Sequence, residues 1–211
     1  MSNSIERIRT LALVGQSGSG KTSLAEALLA KAGAIPVGGS VERGTTACDY
    51  TPLEKQLQHS LKLAVASFET QDTRIHLLDT PGYPDFLGHA LPALAAVETA
   101  AIVINAQNGI EMMTGRFMQW AARRGLDRLI IVNKIDADNV DLEDLLERIQ
   151  QTFGKECLPL NLPAANRGKV SDCFFAPSGE ADFSSVEEAH RRLVDQVVEV
   201  DEKLMETYLE K

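Results

Sequence analysis

Apolar positions along this chain fall into two alternating periods. Short unbroken runs at Leu11-Ala12-Leu13-Val14, Ala100 to Asn105 and Arg128 to Asn133 have the length and β-branched content of strands buried on both faces. Between them the spacing is helical. Leu24, Ala27, Leu28 and Lys31 predict a helix over 20–32, and Leu142, Leu145, Leu146, Ile149 and Phe153 predict another over 141–153. Thr114 to Gly125 reads as a helix capped by Thr114 and closed by Gly125. Phe86 to Val97 reads as a helix that Pro92 should bend or delay. Ser60 to Glu69 alternates instead, with Leu61, Leu63 and Val65 on one side and Lys62, Ala64, Ala66 and Phe68 on the other. Gln71-Asp72 turns the chain into a second strand, Thr73 to Asp79, antiparallel to the first. Strands alternating with helices, plus one hairpin, predict an α/β fold: a mostly parallel central sheet with helices on both faces.

Two stretches depart from this pattern. From Ala34 to about His59 no period persists, and Pro36, Gly38, Gly39, Ser40, Gly44 and Pro52 punctuate the chain. A loop this long is usually functional or mobile. Residues 157–183 carry short apolar pieces, Cys157–Leu162 and Val170–Phe175, which predict a small β-rich insert. Ser184 then caps a long final helix, with Glu187 completing a capping box. Its stripe is Val186, Ala189, Leu193, Val197, Val200, Leu204 and Tyr208. The expected organisation is a core over 1–156, an insert over 157–183 and a C-terminal helix over 184–211.

Composition narrows the classes. A chain of 211 residues, 44% of them hydrophobic, is ample for one core. A net charge of −9 sets the surface as a whole against nucleic acid, so no sequence-specific DNA binding is expected. Cys48, Cys157 and Cys173 have no metal-binding spacing and make no even-numbered framework. The first residues lack an apolar signal core, and no apolar run approaches the ~18 residues of a span. The expectation is a soluble, cytoplasmic protein with no membrane partner. His59, His76, His89 and His190 are scattered, and no Ser-His-Asp or His/Cys metal constellation is visible.

Three motifs carry chemistry, each at a strand's C-terminal end. The first is Gly15-Gln16-Ser17-Gly18-Ser19-Gly20-Lys21-Thr22, running on into Ser23. It fits G-x-x-x-x-G-K-[ST], the loop whose amides and following helix N-terminus cradle phosphates. Lys21 reaches the β- and γ-phosphates, and the Thr22 hydroxyl ligates Mg²⁺. The second is Asp79-Thr80-Pro81-Gly82-Tyr83. Asp79 is placed to hold Mg²⁺ through water, and Gly82 can offer its amide to a γ-phosphate. The third is Asn133-Lys134-Ile135-Asp136. The Asp136 carboxylate matches the donor pair of guanine. Adenine would leave that carboxylate unsatisfied, at a cost of several kcal/mol. Asn133 can tie this loop to the first, and the Lys134 stem can lie over the base.

Taken in this order, the motifs resemble the translational GTPases. Asp79 to Phe86 and the ending Glu199 to Leu209 look most like elongation factor G, and the whole is similar to its divergent elongation factor G-like branch. The resemblance covers nearly the whole chain. It implies a GTP-binding domain with a shortened subdomain insert, Mg²⁺ and guanine nucleotide as ligands, and the ribosome as partner. GTP would be hydrolysed with Lys21, Gly82 and Tyr83 at the reacting phosphate. An ungapped comparison from Lys21 puts Gly44 and Asp49 on the family's switch region and its magnesium-holding threonine on Ser60; Thr46, in Arg43-Gly44-Thr45-Thr46, is the alternative. Leu57-Gln58-His59-Ser60 replaces R-G-I-T, Tyr83 replaces the histidine that positions the attacking water, and Gly18 replaces an aspartate. A phenol is a poor base near neutrality, with a pKa of about 10. The family's Ser-Ala guanine contact is absent after Asp136, which implies a piece of a longer protein. The alternatives are a GTP-binding switch with little or no hydrolysis, and an ATPase carrying a chance N-K-I-D.

Overall fold

The computed structural model describes residues 5–199 and Met205. The chain divides into two compact units, Met1–Lys134 and Ile135–Lys211.

The first unit contains β1 (Ile8–Val14), α1 (Lys21–Lys31), α2 (Pro52–Leu57), β2 (Ala64–Thr70), β3 (Thr73–Asp79), α3 (Leu87–Ala90), β4 (Thr99–Asn105), α4 (Met112–Arg123) and β5 (Asp127–Asn133). Its sheet has the order β2-β3-β1-β4-β5. Every neighbouring pair is parallel except the β2–β3 hairpin. Leu13 stands opposite Asp79, and Asn105 opposite Asn133. Four parallel strands therefore end at one edge, where this fold class presents its ligand-binding loops. Beneath that edge lies a core of Leu13, Ala25, Leu29, Phe68, Leu77, Ala101 and Val103. Burial of each large apolar side chain contributes about 1.5–3 kcal/mol.

Several local expectations shift. Helix α1 buries Thr22, Ala25, Glu26 and Leu29, a 3.6-residue stripe offset from Leu24, Ala27, Leu28 and Lys31. In β2 the buried face is Ala64 and Phe68, and Val65 is exposed. Gln71 and Asp72 both adopt left-handed φ, as a two-residue hairpin turn requires. The expected 86–97 helix is broken into a 3₁₀ turn at Pro84–Phe86, the single turn of α3 and a second 3₁₀ turn at Ala93–Ala95. Pro92 has no N–H to continue the ladder. Helix α4 starts two residues early with Glu111 as its N-cap; Thr114 sits inside, its hydroxyl accepting from the Glu111 N–H. The irregular 34–59 stretch contains α2. Its Thr51 cap, Pro at the first helical position and Glu54 form a complete capping box.

The second unit contains α5 (Leu142–Phe153), β6 (Asn161–Ala164), β7 (Lys169–Asp172) and α6 (Val186–Glu199). Strands β6 and β7 form an antiparallel hairpin within the region expected to be β-rich. Ala165, Asn166 and Arg167 turn it at positive φ, and Asp182 accepts from the Asn166 and Arg167 N–H groups. Leu162, Cys173, Val186, Ala189 and Leu193 make its core. The cap of α6 is Ser185, whose hydroxyl accepts from the Glu188 N–H, whereas Ser184 is held at φ 61°. The cap thus falls on Ser185, one residue later than Ser184, and the Glu188 carboxylate accepts from Arg192. Val197 is exposed and Val198 buried, so the stripe drifts near its end. Val200, Leu204 and Tyr208 lie outside the described residues.

Candidate phosphate and cation site

Strand β1 runs through Gly15–Gly20 into α1, so the first motif occupies a strand–loop–helix turn. Gly15 has φ 144°, and a Cβ there would meet the Val103 carbonyl oxygen at 2.4 Å; only glycine fits. No side chain caps the N-terminus of α1 at Gly20, which leaves the positive end of that helix open to a ligand. Lys21 is buried and donates to the carbonyls of Gly15 and Gln16. Burial pulls its ammonium down to about 8, against the charges of Asp79 and Glu111. Among the described residues, three buried side-chain polar atoms lack any partner: Gln16 Oε1, Ser19 Oγ and Asp79 Oδ1. All three belong to this corner. Buried polar atoms are otherwise satisfied as a rule, so such a cluster marks a place built for something else.

The second motif closes over the first. The Gly82 carbonyl accepts from the Ser17 N–H at 3.1 Å. A Cβ on Gly82 would stand 2.5 Å from both Lys21 Nζ and Ser17 N. The backbone of Gly82 thus approaches the loop as closely as a peptide can. Thr80 donates its hydroxyl proton to the Leu13 carbonyl, and Pro81 is buried beside it. Burial raises the Asp79 carboxyl to about 6; the Thr22 hydroxyl and Lys21 oppose the shift, while Asp49 and Glu26 add to it.

Ser60 stands 3.0 Å from Thr22, Oγ to Oγ1. Each hydroxyl has one proton, and both protons go elsewhere. Thr22 donates to Asp79 Oδ2 at 2.7 Å, and Ser60 donates to Asp49 Oδ1 at 2.7 Å. Two oxygens therefore face each other with lone pairs only. Neighbouring ligands of a small octahedral cation, each about 2.0–2.1 Å from it, stand about 2.9 Å apart. The donor set fits such a cation, with hard oxygens and an unpartnered carboxylate oxygen alongside. Among the described residues no cluster of three His, Cys, Asp or Glu side chains makes a metal cage. Thr46, the alternative switch hydroxyl, is buried one layer behind and donates to Asp49 Oδ2.

Two buried carboxylates fix the segment that delivers Ser60, and the sequence reading passed over both. Glu26, on α1, accepts from the N–H groups of Gly39, Ala47 and Cys48. Glu54, on α2, accepts from Thr51, Leu61 and Lys62. A legible signal existed for each: Glu26 shares the i, i+3, i+4, i+7 stripe of Thr22, Ala25 and Leu29, and Thr-x-x-Glu announces the α2 cap. Asp49 offered only its place in the switch-like stretch.

Tyr83 is 41% exposed, and its ring packs on His59 with centroids 4.7 Å apart. The Phe86 ring lies 6.2 Å from that of His59. Gly18 is exposed at φ 77° with open space beside it, and Ser23 is exposed on α1. Asn133 Nδ2 donates to the Ser19 carbonyl at 3.0 Å, which ties the end of β5 to the first loop. Lys134 is exposed at φ 58°, its Cε close to Gly20. Asp136, the second residue of the second unit, is exposed. His76 bonds Ser67 across the hairpin, and His190 bonds the Cys173 carbonyl.

A parallel sheet whose first strand passes through an uncapped glycine-lined loop into a helix, beside paired hydroxyls and a buried carboxylate, defines a P-loop nucleotide-binding domain. Residues 6–208 match the family described as the elongation factor Tu GTP binding domain, and the chain belongs to that family. It is 36% identical to the elongation factor G-like protein of Mycobacterium tuberculosis, over 96% of this chain and 30% of that one. It is 32% identical to the mitochondrial ribosome-releasing factor 2 of Culex quinquefasciatus, over 95% of this chain and 27% of the relative. A crystal structure from Thermus thermophilus superposes with a TM-score of 0.85 at 39% identity, covering 97% of this chain and 33% of the other. The chain spans about a third of the length of these relatives.

Proposed function

We propose that this chain is the GTP-binding domain of an elongation-factor-G-like translational GTPase, which binds GTP with Mg²⁺ and hydrolyses it to GDP and phosphate when coupled to the ribosome. The observation that carries the reading is the cluster of orphaned buried atoms, Gln16 Oε1, Ser19 Oγ and Asp79 Oδ1, around an uncapped helix end. In this reading Gly15–Thr22 cradle the phosphates, and Lys21 pairs with their outer oxygens. Asn133, Lys134 and Asp136 select guanine. Thr22 and Ser60 hold Mg²⁺ directly and Asp79 holds it through water; once bound, it would offset charge on the phosphate oxygens. Gly82 offers its amide to the terminal phosphate. The action would be cytoplasmic, and no described helix is long and apolar enough to cross a membrane.

Tyr83 favours a second reading. With a phenol, a poor base, at the water-positioning place and its ring packed on His59, the domain would hydrolyse GTP slowly and serve chiefly as a binding switch. Single-turnover phosphate release from the full-length protein, with and without ribosomes, separates the two. Ribosomal stimulation of about 100-fold or more is the expected result. GTP retained unhydrolysed on ribosomes would establish the switch reading instead.

A further inference from the structure

We infer that Asp49 is the positioning residue that makes the Ser60 hydroxyl a cation ligand, by accepting its hydrogen bond; the inference rests on the nucleotide reading above. Asp49 is 2% exposed, so its carboxylate is committed to protein partners. Oδ1 accepts from Ser60 at 2.7 Å and Oδ2 from Thr46 at 3.1 Å. The Asp49 N–H returns a hydrogen bond to Thr46 Oγ1 at 3.3 Å, which locks the carboxylate from behind.

The consequence falls on Ser60. A serine hydroxyl rotates freely, and as a donor it would turn its proton toward Thr22. A carboxylate has no proton to give, so the bond to Asp49 can run only one way. It leaves the Ser60 lone pairs directed at Thr22, whose own proton is held by Asp79. Two acid–hydroxyl pairs thus mirror each other, Asp79 with Thr22 and Asp49 with Ser60. Thr46 serves the second pair by holding Asp49 in place. A serine lacks the γ-methyl that restricts the χ1 of a threonine, so its orientation depends more heavily on such a partner.

The test follows release of a fluorescent GTPγS analogue from the chain while Mg²⁺ is titrated. The readout is the Mg²⁺ concentration that half-maximally slows release. Asp49→Ala is expected to raise this midpoint about tenfold, the scale typical of partners that orient a metal ligand. Asp49→Asn should raise it less, because an amide oxygen can still accept the Ser60 proton. Ser60→Ala should match Asp49→Ala, and the double variant should be no worse than Ser60→Ala alone, since Asp49 acts only through that hydroxyl. An unchanged midpoint in Asp49→Ala, or additive shifts in the double variant, overturns the inference. A cooperative thermal melt confirms that each variant folds. If Asp49→Ala does not fold, Asp49→Asn in the same cycle with Ser60→Ala decides, additivity again being the contradicting result. A wild-type chain that binds no analogue at any Mg²⁺ concentration would defeat the nucleotide reading itself, and this inference with it.

Discussion

The phosphate loop and the 34–63 segment meet at Thr22 and Ser60 but are built by opposite means. The loop is a backbone structure. Its path is set by Gly15 and Gly20, which have no room for a side chain, by a strand that ends and by a helix that begins. The 34–63 segment is a side-chain structure, strapped down by two buried carboxylates that accept from N–H groups far apart in sequence. The first construction tolerates almost no covalent change, whereas the second can be loosened one strap at a time. That difference suits a rigid cradle served by a segment able to open.

The largest effect that would break this comparison belongs to the loop. Gly15→Ala forces a Cβ into the Val103 carbonyl at a left-handed φ, and should cost about 3 kcal/mol or more in urea unfolding, with nucleotide binding lost. A loss under about 1 kcal/mol would show the loop to be less rigid than described. Next comes Glu26→Ala, which strips the acceptor from three N–H groups and should cost about 2 kcal/mol, mostly as local opening. Hydrogen exchange should then quicken over 39–48 while β1 and β4 keep their protection. Uniform loss of protection would mean that the segment and the sheet form one cooperative unit.

The pH dependence sharpens the contrast. Lys21, held near 8 by burial, loses its charge above that pH, so affinity for the anionic nucleotide should fall by up to about tenfold per pH unit. Asp79, raised by burial to about 6, takes up a proton below that pH and releases the cation, so Mg²⁺-dependent binding should weaken in acid. Binding should be strongest between about 6 and 8. Chelating Mg²⁺ should remove the benefit of Asp79 but keep the fall above 8. The smallest effect concerns Cys48, whose thiol is pushed up to about 12 by burial and by the charges of Asp79, Glu26 and Asp49. Alkylation at about pH 8 should label the half-buried Cys157 well before Cys48, and Glu26→Ala should narrow that gap.

The same contrast governs what could be read in advance. The buried strands and the three motifs are short-range patterns: apolar runs, glycines at fixed intervals, and a lysine and threonine at a helix start. They were legible because each depends on a few neighbouring residues. The hairpin turn at Gln71-Asp72 was legible for the same reason. Helix α2 has too few residues to show a period among the surrounding Gly and Pro, and only the Thr51–Glu54 box marks it. The buried stripe of α1 lies two residues from Leu24, Ala27, Leu28 and Lys31, because its inward face includes Glu26, a polar residue held on backbone N–H groups. Asp49 depends on Ser60, eleven residues away, and on Thr46, and no local period announces such a bond. Capping slips at Ser184 and Thr114 have one cause, a neighbouring residue better placed for the role.

The most direct measurement is equilibrium binding of a fluorescent GDP to this chain with Mg²⁺, competed by GTP and by ATP, beside Asp136→Asn. Displacement by GTP but not by ATP, with weaker binding in Asp136→Asn, is the predicted result. Equal displacement by ATP, or no binding to the chain or to the full-length protein, would contradict the assignment of Gly15–Thr22 and Asn133–Asp136 as a guanine-nucleotide site.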